Sequence, residues 1–189
     1  MAEETPDPDA SIRRDLTHLT TVSIDEMGTR EIDDALSVEH LPGGQLKCDL
    51  SPPALLACSL TFVPFRVWTH VSDPSRWIEL DSNVDLEARK RVVSLYIPTG
   101  AIPVYPWKLA EGCFSLRTGV RSHALSFGAT LDATGAVQDF EVVPSIITPS
   151  MNFTYTEAEE AIREGKSEEL KQFQEISALR FLAGVISHA

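Results

Sequence analysis

The chain is short of basic charge, of cysteine and of long apolar runs, and each shortage removes a class of protein. Sixteen Lys and Arg stand against 28 Asp and Glu, a net charge of −12. Attraction to phosphate usually needs a basic face, so this chain by itself is poorly built to hold a nucleic acid. The excess of carboxylate fits divalent-metal ligation or a partner that supplies positive charge. Three cysteines, Cys48, Cys58 and Cys113, are odd in number and irregularly spaced. They give neither a disulfide framework nor a zinc pattern and point to a reducing, intracellular compartment. No uninterrupted apolar run is long enough for a bilayer, so no membrane partner is expected. The first nine residues, Met1-Ala2-Glu3-Glu4-Thr5-Pro6-Asp7-Pro8-Asp9, are acidic and proline-containing. They match neither a secretory signal nor a basic transit peptide. A cytoplasmic location is expected, with an organelle as the alternative.

What is present is an ordinary globular composition, 43% hydrophobic and 23% charged over 189 residues, enough for one domain. Residues 1–12 are expected to form a disordered leader, and 13–189 the folded part. Thr20 to Ile24 favours a strand. Ala35 to Glu39 alternates apolar and polar and reads as a second strand, closed by the turn signal Pro42-Gly43-Gly44. Val67 to Val71 is a third. A helix is expected from near Ser82, with Val84, Leu86, Val92, Val93, Leu95 and Tyr96 as an imperfect apolar face, stopped by Pro98. Leu125 to Leu131 and Val137 to Val143 flank Asp132-Ala133-Thr134-Gly135, a hairpin signature. Thr156 and Glu159 suggest a capping box for a short helix ended by Gly165. An amphipathic helix is expected from Ser167 through Leu182. No Gly cap or charged tail closes the pattern at Ala189, so the chain is expected to be incomplete. The fold class expected is α+β, a mixed sheet with helices packed on it.

Residues 48–66 do not fit this plan. They are apolar, hold three prolines, and separate two strands that would otherwise pair as a hairpin. A long structureless apolar loop inside a compact domain argues against its own assignment. We read 48–66 as an atypical insertion: a translated intron or, as the alternative, a genuine surface insertion. Codons for Lys47-Cys48 and Phe65-Arg66 can carry the splice signals, and sequencing the transcript decides.

The chemically informative stretch runs from Ser23 to Leu36. Asp25 stands at a strand end, and Glu31, Asp33 and Asp34 crowd into four residues ahead of the next strand. Carboxylates held this close repel one another unless a cation sits between them. Hard oxygen donors suit Mg²⁺, with Mn²⁺ also admissible, and such a centre serves metal-assisted phosphodiester hydrolysis. A solvated acidic turn is the plain alternative.

The flanks of this cluster resemble a known family. Arg14-Asp15-Leu16-Thr17-His18-Leu19, then Ile24-Asp25, then Thr29-Arg30-Glu31-Ile32-Asp33-Asp34-Ala35-Leu36 resemble the start of the RNB catalytic domain of ribonuclease II and ribonuclease R. The resemblance continues in Val71-Ser72-Asp73-Pro74-Ser75-Arg76-Trp77-Ile78. It returns in Tyr96-Ile97-Pro98, Ile102-Pro103-Val104-Tyr105-Pro106 and Cys113-Phe114-Ser115-Leu116-Arg117. It implies a Mg²⁺-dependent exoribonuclease that degrades single-stranded RNA from the 3′ end to nucleoside 5′-monophosphates. Asp25, Glu31, Asp33 and Asp34 match the family's four acidic positions, with Asp25 and Asp34 implied as direct ligands and Asp33 as essential. Glu31 departs from the pattern, because ribonuclease II has Asp there. The extra methylene moves the carboxylate by about 1 Å, so re-tuned or reduced activity is expected. Tyr96 matches an aromatic position that stacks the RNA 3′ end; a core role is its alternative. Arg117 and Arg121 are candidate phosphate contacts, with surface ion pairing as the alternative. Trp77, Trp107 and Phe114 are expected in the core, and His18, His70 and His123 in structural roles.

The family's catalytic domain is about twice this length and normally carries oligonucleotide-binding barrels on both sides. The chain alone is therefore expected to have little or no exonuclease activity and to be monomeric. The competing readings are an inactive RNB remnant that binds RNA or serves as a scaffold, and a fragment with no function of its own.

Overall fold

A computed structural model of the chain describes residues 6–41, 65–98, 100–131, 136–165 and 171. Its centre is a seven-stranded mixed sheet. In chain order the strands are β1 (Arg14–Asp15), β2 (Thr21–Asp25), β3 (Asp34–His40), β4 (Phe65–Ser72), β7 (Ser122–Leu131), β8 (Val137–Ile147) and β9 (Met151–Thr154). Their spatial order is β1-β8-β7-β4-β3-β2-β9. The two edge pairings, β1 with β8 and β2 with β9, are parallel, and the rest are antiparallel. A separate hairpin pairs β5 (Leu95–Ile97) with β6 (Gly100–Ile102). The helices are α1 (Asn83–Arg91), the single turn α2 (Trp107–Ala110) and α3 (Tyr155–Glu164). The expected α+β class with a mixed sheet is the one found.

Strand alternation divides the apolar residues between two faces. On one face Ala35, Trp68, Ala124 and Ile147 join Leu16, Leu19 and Leu116 in the main core. On the other, Val22 packs with Ala158 of α3, together with Ile24, Leu36, Met151 and Phe153. Trp68 is fully buried and leaves no space for a side chain on the adjacent strand. A Cβ at residue 128, its partner in register, would lie 2.7 Å from the indole ring, so Gly128 is required there.

The β3–β4 hairpin forms in the register that the alternation suggests, from Asp34 opposite Val71 to His40 opposite Phe65. Residues 42–64 lie outside the described residues. Of the proposed insertion only Phe65 and Arg66 are described, and both belong to β4. Arg66 is tied to Thr130 at 3.0 Å, to Asp139 at 3.0 Å and to Glu141.

Other expectations need correction. The leader is not disordered throughout: residues 8–12 form turns, and the Asp7 carboxylate accepts from Arg13 Nε at 2.7 Å. Arg13 also reaches Asp73 at 2.9 Å and is almost wholly buried. The helix from Ser82 stops at Arg91, well before Pro98, because Val92 adopts φ 68°. Its apolar side is largely exposed. What holds α1 is its Ser82 cap and the pairs Arg89–Asp85 at 2.6 Å and Arg91–Glu87 at 3.2 Å. The capping box of α3 uses Thr154 and Glu157, two residues earlier than expected. Gly165 does end that helix, in the left-handed conformation. The turn at 132–135 and, apart from Lys171, the helix expected from Ser167 fall outside the described residues.

Candidate functional site

Asp25 ends β2 and Asp34 opens β3. The loop between them carries Glu31 and Asp33. The antiparallel β2–β3 pairing, Thr21 opposite Ser37 and Val22 opposite Leu36, puts Asp25 and Asp34 at the same end of the two strands. The returning end of the loop is pinned through its backbone. Ile32 N–H donates to Ser115 Oγ at 3.1 Å, Leu116 N–H to the Ile32 carbonyl at 2.9 Å, and Ser72 N–H to the Asp33 carbonyl at 2.8 Å. The Ser72 hydroxyl in turn holds the Phe114 carbonyl. Residues about 40 and 80 positions away in sequence thus fix where the acidic side chains start.

The electrostatics are those of partly buried carboxylates sharing one region. Burial, and then the charge of Asp33, pushes Glu31 up to about 7. Asp33 is raised by burial, then by Asp34 and Asp25. Asp25 is raised by burial and by Asp34, while a hydrogen bond from Asn152 Nδ2 at 3.3 Å acts the other way. Glu31 is buried, Asp25 half-buried, and Asp33 and Asp34 exposed. Among the described residues, no three His, Cys, Asp or Glu side chains converge as a ready-made cation cage. The donors are all hard oxygens, and the repulsion among Asp25, Glu31 and Asp33 is of the kind a divalent cation relieves. They suit an ion that takes one or two carboxylates and completes its shell with water and substrate.

Tyr96, the expected stacking residue, is within electrostatic reach of this region. It lies on β5, not in a helix, and is 73% exposed, so a core role is excluded. Its phenol is raised by burial first and then by Asp33, Glu31 and Asp25. Arg117 follows the segment clamped to the acidic loop but is exposed; its charge acts on Cys113 and on none of the carboxylates whose shifts are resolved. Arg121 pairs with Asp15 at 3.9 Å on the surface. Phe114 is buried, whereas Trp77 and Trp107 are half-buried. Arg30, next to Glu31, pairs with Glu111 and lies 4.3 Å over the Trp107 ring. His70 is structural, bonded on both ring nitrogens to buried serines. Sequence reasoning missed Asn152 and Ser115, since no local signal in a strand or loop shows which distant residue it will meet.

Among the described residues, no helix is long and apolar enough to cross a membrane. The model of the RNB domain family matches residues 13–188. An uncharacterized ribonuclease of Synechocystis sp. is 45% identical over 157 residues, covering 83% of this chain and 21% of that protein. The chloroplastic/mitochondrial ribonuclease II of Arabidopsis thaliana is 36% identical over 182 residues, 95% of this chain and 20% of that one. The fold is shared with Mycoplasma genitalium RNase R, solved in complex with ribose-methylated single-stranded RNA: TM-score 0.73, 21% identity, 93% of this chain and 26% of that one. It is similar too to yeast Ssd1, described as a pseudonuclease: TM-score 0.72, 26% identity, 92% of this chain and 20% of that one. The chain thus spans about a fifth of the length of the curated relatives it matches, and it belongs to the RNB domain family.

Proposed function

We propose that this chain is the N-terminal part of the catalytic domain of a Mg²⁺-dependent 3′→5′ exoribonuclease, which hydrolyses single-stranded RNA to nucleoside 5′-monophosphates. The observation that carries the reading is the placement of Asp25, Glu31, Asp33 and Asp34 on and beside the one loop between β2 and β3 of an RNB-family fold. Asp25 and Asp34 would hold the cation, Mn²⁺ serving in place of Mg²⁺, with Glu31 and Asp33 completing the acidic set. A bound ion supplies activation of a water and stabilisation of the leaving oxygen. The protein's part is to keep these carboxylates fixed, through the backbone clamps of Ser72, Ser115 and Leu116, and to offer Tyr96 as a stacking surface for the terminal base. The net charge of −12 leaves most phosphate attraction to the rest of the polypeptide.

The test uses the native polypeptide that contains this chain, with 5′-labelled single-stranded RNA and Mg²⁺. Progressive shortening from the 3′ end, lost on Asp33→Asn, supports the reading; no shortening, or shortening unaffected by Asp33→Asn, overturns it. The 189-residue chain by itself should show little or no digestion.

A second reading, an inactive RNB remnant that binds RNA, draws support from the open arrangement of the carboxylates and the likeness to a pseudonuclease. It requires RNA affinity without divalent-ion-dependent shortening in the same assay.

A further inference from the structure

Asn152 lies on edge strand β9. Parallel pairing with β2 sets Asn152 beside Ser23 and Thr154 beside Asp25. The four side chains therefore share one face, and the Asn152 amide nitrogen donates to Asp25 Oδ2 at 3.3 Å. A carboxylate free to rotate presents either oxygen to a ligand, whereas one held by an amide presents one in preference. The register partner Ser23 is 2% exposed, and its hydroxyl has no hydrogen-bond partner among the described residues.

We propose that Asn152 is a positioning residue for Asp25: it fixes the orientation of that carboxylate from β9 and so sets the affinity of the acidic set for a divalent cation. This rests on the reading of Asp25 as a cation ligand. Groups that orient a metal ligand without touching the ion typically change affinity 10–100-fold when removed. Asn152 is exposed at a sheet edge, so its replacement should leave the fold intact.

The test is Mn²⁺ binding to the native polypeptide without RNA, followed by calorimetry. Four forms are compared: wild type, Asp25→Asn, Asn152→Gln and Asn152→Leu. Gln and Leu have similar volume, but only Gln keeps an amide donor. Asn152→Leu should weaken binding at least tenfold, and Asn152→Gln should recover most of the loss. If Asp25→Asn weakens binding while the Gln and Leu variants bind alike, the positioning role is overturned and the reading of Asp25 stands. If Asp25→Asn does not alter Mn²⁺ binding, the reading of Asp25 itself fails and takes this role with it.

Discussion

The Ser37 hydroxyl and His70 Nε2 lie 2.8 Å apart in the fully buried face of the sheet. The contact belongs to a chain of side chains across four strands: His70 Nδ1 meets Ser126 Oγ at 2.6 Å, Ser126 meets Ser145 Oγ at 2.5 Å, and Ser145 donates to the Ala124 carbonyl at 3.2 Å. The carbonyl fixes the direction of every proton. Ser145 donates to it and accepts from Ser126, Ser126 accepts from His70 Nδ1–H, and Ser37 donates to a bare Nε2. Burial lowers the His70 pKa to about 4 from 6.5. Because the unfolded chain takes up this proton first, the stability is complete above pH 6.5 and is lost as pH falls toward 4. The loss should reach about 3 kcal/mol. Urea denaturation between pH 7 and 4 checks it: His70→Gln should be less stable at pH 7 but show a flatter decline.

Glu31 should act in the opposite sense. Its folded pKa, about 7, lies above the ordinary 4.5, so stability present below pH 4.5 is lost as pH rises through 7. Without divalent ions at pH 8, Glu31→Gln should therefore exceed wild type in stability by on the order of 2 kcal/mol. The same substitution should lower divalent-ion-dependent RNA hydrolysis. A variant less stable than wild type at pH 8 would contradict the burial of an ionised Glu31.

Gly128 and Trp68 form a tight pair. Ala at 128 would drive its Cβ into the indole at 2.7 Å, with no exposed surface into which the buried ring could retreat. Gly128→Ala should cost about 1–3 kcal/mol and change the tryptophan fluorescence. In Gly128→Ala combined with Trp68→Leu the costs should be less than additive.

Asp7 shows that the folded unit begins before residue 13. Its carboxylate is held below the usual range by the hydrogen bond from Arg13, and Arg76 Nε lies 3.6 Å away. Asp7→Asn removes one of the charges that compensate a buried Arg13 and leaves Asp73. A loss of about 2 kcal/mol is expected, below the full cost of breaking a buried pair because one partner remains. An unchanged urea midpoint would show that the leader contributes nothing.

What the sequence revealed depended on whether the signal was local. The alternation in 35–39 and 67–71 was enough for the β3–β4 hairpin, because one buried face dictates register. Gly165 marked a helix end because αL favours glycine. The end of α1 was not legible: Val92 at φ 68° opposes its own preference. Nor was the α3 cap, since Thr154 and Thr156 each precede a Glu by three residues; β9 pairs with β2 as far as Thr154, and the helix begins where the chain leaves the sheet. At the site, the four acidic residues stood out as a cluster. The clamps on their loop and the Asn152 contact come from distant chain segments and have no local signature.

Tyr96 makes the last expectation specific. An exposed aromatic whose phenol responds to Asp33, Glu31 and Asp25 has a face free for a ligand near those carboxylates. Stacking of a base on an aromatic contributes roughly 1–3 kcal/mol. Tyr96→Ala should therefore weaken binding of a short single-stranded RNA about 5- to 150-fold. Tyr96→Phe should stay within about 3-fold of wild type, because the ring and not the hydroxyl does the stacking. Fluorescence anisotropy in the native polypeptide, with Asp33→Asn to prevent turnover, measures both. A Phe variant as impaired as Ala would assign the effect to the hydroxyl, and equal affinity for all three would remove Tyr96 from the RNA path.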